Sequence, residues 1–100
     1  MAEAAAIATE RAPAATVCIW APLKDLETLD ALIRALEPLG APLLVAETRL
    51  RPLTEPMRMN GCALALLNAP TELEPDLLTI VRWTAERLGD PGAQGRVWRP

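Results

Sequence analysis

Residues 16–50 read TVCIWAPLKDLETLDALIRALEPLGAPLLVAETRL, and this stretch decides the fold. It opens on TVCIW, a short β-branched apolar run without polar alternation, the pattern of a strand buried on both faces. Leu26, Leu29, Ile33 and Leu36 then recur at helical spacing, with Leu32 widening the stripe. Asp25 stands where a carboxylate can accept from the free amides of the first helical turn, and Pro38 and Gly40 stop the helix. The second strand is PLLVAETRL, residues 42–50. Its first half is apolar; in its second half Glu47 and Arg49 share one face while Thr48 and Leu50 share the other. A strand–helix–strand unit of this length predicts a parallel strand pair with a right-handed crossover.

Working outward, residues 2–12 predict an Ala-rich helix anchored by Ile7 and ended by Pro13. Residues 51–60, RPLTEPMRMN, contain two prolines and read as a loop. CALALL, residues 62–67, predicts a third buried strand, antiparallel to the second because no helix separates them. Residues 71–89 predict the last helix, with capping-box spacing between Thr71 and Glu74 and Pro75 in the first turn. Leu73, Leu77, Ile80, Val81 and Leu88 form its stripe, and Gly89 closes it. Residues 96–100, RVWRP, read as a terminal edge strand. Residues 1–100 thus form one partial α/β domain. A sheet of strands apolar on both faces needs helices on both sides and neighbours at its edges, so this one reads as the end of a larger sheet.

The chain has 100 residues, a net charge of −3, two cysteines and no His, Phe or Tyr. A chain this short builds one small core. The acidic balance argues against a dedicated nucleic-acid binder but leaves room for a local basic patch. Without His or a Cys-x-x-Cys pair, most zinc sites are excluded. Cys18 and Cys62 lie in apolar strands and read as buried free thiols. No apolar run approaches the ~18 residues of a membrane span, and the start lacks a signal-peptide pattern. The expected location is cytoplasmic.

In an open α/β sheet, ligands sit outside the carboxyl ends of the parallel strands. That rim would gather Trp20, Pro22 and Lys24 after the first strand, Arg49 and Arg51 after the second, and Met59, Asn60 and Gly61 where the third returns, with Arg58 in the loop. Lys24 is the only lysine beside nine arginines. It is either a solvated residue next to the helix cap or a cation of the rim; the helix dipole does not favour a cation there. The arginines are either solvated or positioned for nucleic-acid phosphates. Trp20 reads as core rather than as a stacking platform, and Trp83 as half-buried. Asn68-Ala69-Pro70 reads as a strand-to-helix turn on the opposite edge. Glu27, Asp30 and Glu37 follow the polar face of their helix. There is no glycine-rich cradle after the first strand, no Ser/His/Asp set and no metal cluster.

WAPLKD, LLVAETRLRP and RMNGCALALLNAP, in this order and followed by a Leu-rich helix with a Trp, resemble the carboxyl-terminal part of the RlmJ family. These are S-adenosylmethionine-dependent methyltransferases acting on an adenine N6 of 23S, large-subunit ribosomal RNA. Trp20, Pro22 and Lys24 match the family's Trp-Tyr-Pro-x-Lys, with Ala21 replacing the tyrosine. Met59, Asn60, Gly61, Asn68 and Pro70 match a later Leu/Met-Asn-Gly … Asn-Pro-Pro pattern, from which Ala69 departs. The resemblance covers residues 10–98.

It implies the end of a Rossmann-like class I methyltransferase sheet: a parallel strand pair, one antiparallel strand and flanking helices. Ribosomal RNA is the implied partner, contacted by Trp20, Pro22, Lys24, Arg49, Arg51, Arg58 and Asn60. The full-length family binds S-adenosylmethionine, but its cofactor loop and its Asp-Pro-Pro-Tyr motif lie upstream of the matched segment, and neither occurs in this sequence. Without the groups that orient the reacting amine, proximity and alignment are lost. The chain is therefore expected to hold no cofactor and to be inactive alone, as a truncated or split fragment needing an amino-terminal half. The alternative is a non-catalytic α/β module that pairs, with a partner or with itself, through its exposed sheet edge.

Overall fold

The computed structural model describes residues 2–23, 25–51 and 60–100. Helix α1 (Ala2–Arg11) leads to strand β1 (Val17–Pro22) and helix α2 (Leu26–Leu36), which tightens into a 3-10 turn (Glu37–Leu39). Strands β2 (Leu43–Arg49) and β3 (Gly61–Leu67) follow, then helix α3 (Leu73–Leu88) and strand β4 (Gln94–Trp98). Met59, Arg58 and most of the proposed loop lie outside the described residues, as does Lys24.

The sheet order is β1-β3-β2-β4, and every neighbouring pair is antiparallel. This corrects the expected parallel pair. β1 and β2 do point the same way, but β3 lies between them, so that Cys62 opposes both Pro22 and Thr48. The reason is edge satisfaction. β3 is GCALALL, the strand least able to tolerate water along either edge, and the central position pairs both of its edges. β4 occupies the other side of β2, leaving β1 and β4 as the outer strands.

Alternation sends side chains to two layers. On one face, Ile19, Ala63, Ala65, Leu67, Leu43 and Val45 pack with Leu29, Ile33 and Leu36 of α2 and Ala5 of α1. On the other, Leu44, Ala46 and Leu66 pack under Leu77 and Val81 of α3. Ala5, rather than Ile7, anchors α1, because a small residue lets the helix sit close while Ile7 faces solvent. In α3 the stripe runs Leu77, Val81, Ala85, and Ile80 and Leu88 are exposed. α3 lies over β2 and β4. The β1 end of that face is left bare, so β1 is buried on one side only. Cys18 is an exposed thiol rather than a buried one, Cys62 is half-buried, and Trp20 is 48% exposed rather than in the core.

Local chemistry fixes the joints. Asp25 caps α2 by accepting from the Thr28 amide and hydroxyl, both at 2.8 Å. Gly40 ends the following turn in the left-handed region at φ 75°. Thr71 makes no capping box: the cap position of α3 is Glu72, which forms no side-chain cap, and Thr71 offers only its carbonyl to the Glu74 amide. Asn68 is a clasp, with φ 58° and its amide donating to the carbonyls of Pro13 and Ala15 at 2.7 and 3.3 Å. Its role at the strand-to-helix turn is thus the structural one.

Gly61 is required where β3 enters. A Cβ there would lie 1.9 Å from the Thr48 carbonyl oxygen. Gly61→Ala is therefore expected to cost at least ~2 kcal/mol, well beyond the ~1 kcal/mol of Asp25→Ala at the α2 cap. Urea unfolding of the two variants measures this, and equal midpoints would contradict the close approach.

Candidate functional site

The chain ends of four strands meet at one edge of the sheet. β1 and β2 finish there at Pro22 and Arg49, and β3 and β4 start there at Gly61 and Gln94. The Asn60 backbone ties the edge together. Its amide donates to the Leu23 carbonyl at 3.1 Å, and its carbonyl accepts from Leu50 and Arg51 at 2.8 and 3.3 Å. Asn60 is fully buried, so it shapes the rim rather than presenting a side chain on it.

The arrangement brings together only part of the expected rim. Arg51 lies against Asp90 at 3.7 Å, and Asp90 is held in place by its own amide on the Leu50 carbonyl. Arg49 turns to the α2 face of the sheet. Trp20 points to the opposite, α3 face, because it is odd in register with Ile19 and Ala21, which face α2. Pro22 closes β1, opposite Cys62. Asn68 and Pro70 fall on the far edge, as expected.

The α2 face of the rim contains a cleft of about 440 Å³. Its floor is Glu47, a carboxylate with no solvent exposure in the middle of β2. A buried carboxylate is stable only when its oxygens are fully engaged. Here Arg49 donates through Nε and Nη2 to Oε1 at 3.3 and 3.1 Å, and Arg96 donates through Nε to Oε2 at 2.8 Å. The Trp98 indole N–H also donates to Oε2. Sheet register explains the set. Arg96 sits directly across from Glu47, Trp98 lies one diagonal step away opposite Val45, and Arg49 is two residues along the same face. The Arg96 guanidinium also lies over the Trp98 ring, 5.4 Å from its centroid.

The facing wall comes from the first turns of α2. Leu26, Leu29 and Ile33 supply apolar surface, and Glu27 and Asp30 supply carboxylates. Asp30 also pairs with Arg34 at 3.1 Å, an exposed i,i+4 pair of little energetic weight. One wall thus donates hydrogen bonds and the other accepts them. Sequence reading found Arg49 but missed Glu47, Arg96 and Trp98. The available signal was an acid in a strand otherwise apolar, alternating with an arginine; its partners are about fifty residues away and were not legible.

Among the described residues, no group of acids and cysteines could hold a metal ion, and no helix is long and apolar enough to cross a membrane.

Across its full length, residues 1–100, the chain matches the family described as ribosomal RNA large subunit methyltransferase D, RlmJ. No curated protein sequence matches it. Among solved structures it superimposes on protein LPL1258 of Legionella pneumophila str. Philadelphia 1, assigned to the DUF519 family, with a TM-score of 0.84 at 16% identity. The superposition covers 98% of this chain and 36% of that one, so the chain spans about a third of its structural neighbour.

Glu47→Gln leaves two guanidiniums around an oxygen and an amide donor in place of a carboxylate. Because Arg96 and Arg49 can still reach water, the expected loss is about 1–3 kcal/mol rather than the full cost of an isolated buried charge. Urea midpoints test this, and a neutral substitution would show that the carboxylate holds nothing in place.

Proposed function

Since the chain belongs to the RlmJ family of ribosomal RNA large-subunit methyltransferases, we propose that it forms the carboxyl-terminal, RNA-facing part of a 23S ribosomal RNA adenine-N6 methyltransferase. The observation that carries this reading is the open edge of β1 on a chain that spans 36% of its structural neighbour. An edge strand with one unpaired side is a template for another strand. Beside it, Cys18 and Trp20 are exposed on the same face as the apolar strand surface. A preceding segment of a longer enzyme would continue the sheet there and cover that surface. A ribosomal RNA substrate would place the enzyme in the cytoplasm.

S-adenosylmethionine would supply the methyl group in such an enzyme. The described residues do not fit that cofactor. Gly61 is filled by the Thr48 carbonyl, Gly89 is crowded by Ala93 and the Ala85 carbonyl, Gly95 abuts the α3 backbone at Val81, and Gly40 lies at the opposite end of β2. Gly92, in the turn beside the end of β2, stands alone and is not a glycine-rich cradle. The rim residues would instead hold RNA. Lys24, Arg51 and Arg58 would meet phosphates, Arg49 would face RNA from the cleft beneath α2, Pro22 would offer apolar surface beside the Trp20 strand end, and Asn60 would keep the rim in shape. The separate-module reading shares the same open edge, and sedimentation addresses it directly.

Two measurements test the proposal. Calorimetric titration of the 100-residue chain with S-adenosylmethionine should show no tight binding, and tight binding would overturn the division of labour. When the chain is joined to a family segment carrying the glycine-rich loop and Asp-Pro-Pro-Tyr, methylation of 23S ribosomal RNA should appear. In that enzyme Lys24→Ala should weaken RNA binding and flatten its salt dependence by about one unit of slope. An unchanged slope would assign Lys24 to ordinary solvation.

A further inference from the structure

We propose that the cleft between α2 and the β2–β4 edge is a binding pocket for an unpaired guanine of the RNA. The inference rests on the ribosomal RNA reading for its biological ligand, but the pocket stands on its own geometry.

The two walls are complementary to different things. Arg96 spends Nε on Glu47 and lines the cleft, and its side chain is 53% exposed. Arg49 is committed to Glu47 through Nε and Nη2, leaving Nη1. Glu47 bonds both guanidiniums, and the Trp98 ring lies beneath that of Arg96, which lowers the ordering cost of binding. Opposite them stand the exposed carboxylates of Glu27 and Asp30, on a wall otherwise made of Leu26 and Leu29.

A phosphate would meet the carboxylates, and a basic side chain would meet the arginines. A neutral planar group with acceptors on one edge and donors on the other satisfies both. Guanine is the base of that kind: O6 and N7 form the acceptor edge that arginine forks recognise, and N1–H with the 2-amino group form a donor edge across the ring. Adenine and uracil put acceptors beside their single donor group, against the carboxylates. Cytosine has one amino group next to acceptors. Splayed-out bases are the usual target of sequence-specific RNA recognition, held by stacking and by hydrogen bonds along their edges. The apolar α2 wall and the half-buried Trp98 supply the faces, and a volume of about 440 Å³ admits a purine with its sugar.

The test uses the 100-residue chain with nitrogen-15 label and the four nucleoside 5′-monophosphates. Trp98 is the one indole of three in the cleft, so its Nε1–H signal reports occupancy. GMP should shift it saturably, and AMP, CMP and UMP should do so at least tenfold more weakly. Inosine monophosphate, lacking the 2-amino group, should fall between. Arg96→Ala should weaken GMP at least tenfold, and Asp30→Asn, on the exposed face of α2, should lower the preference for GMP over inosine monophosphate. Equal responses to all four nucleotides, no GMP response, or GMP binding indifferent to both substitutions would overturn the pocket. A second arm titrates single-stranded fragments of 23S ribosomal RNA. GMP binding without RNA binding would leave the pocket and remove the ribosomal reading; RNA binding without GMP selectivity would do the reverse.

Discussion

The passage of the Asn60–Gly61 backbone between the ends of β1 and β2 is the contact on which the structure depends. Gly61 lies against the Thr48 carbonyl at a distance that excludes any side chain, and the Asn60 peptide bonds to both flanking strand ends. With that entry fixed, β3 runs back through the middle of the sheet and pairs along its whole length on both sides. Both edges of this apolar strand are then paired within the sheet. The ends of β1 and β2 are held side by side at one edge, two strand spacings apart.

The central strand also determines what is left open. With β3 inside and β4 closing β2, the outer edges among the described residues belong to β1 and β4. α3 covers the β2–β4 half of one face because its chain must return to form β4, whose Gly95 lets the helix backbone approach closely. The β1 half of that face is bare in consequence, with Trp20 exposed on it. An open edge and an uncovered indole are the same constraint seen from the backbone and from the side chains. Both suit a segment of a longer family protein.

The polar cleft has a different origin. A carboxylate in the interior of β2 would be strongly destabilising alone. β4 makes it tolerable by placing Arg96 and Trp98 across from it, while Arg49 approaches along its own strand. The same bonds that stabilise Glu47 hold two guanidiniums toward an open volume, and α2 presents carboxylates from the other side. Structural satisfaction of one buried acid has thus produced a preorganised hydrogen-bonding surface.

Local sequence was sufficient for whatever depends on neighbours in the chain. The periodicity of α2, the Asp25 cap, the alternation of Glu47 and Arg49, the antiparallel β2–β3 pair and the edge position of the last strand were all legible, as was the family through Trp20, Pro22 and Asn60. Long-range placement was not. An apolar run such as TVCIW is compatible with one or two buried faces, and only the position of α3 decides that Cys18 and Trp20 are exposed. Two strands that point the same way predict a parallel pair, and only the insertion of β3 separates them. Arg96 and Trp98 carry no local mark of a site, since their meaning comes from register with a residue about fifty positions away. Hydrogen-bond partners within a turn or a strand are set by spacing along the chain, whereas partners across a sheet are set by which strand edge is already taken.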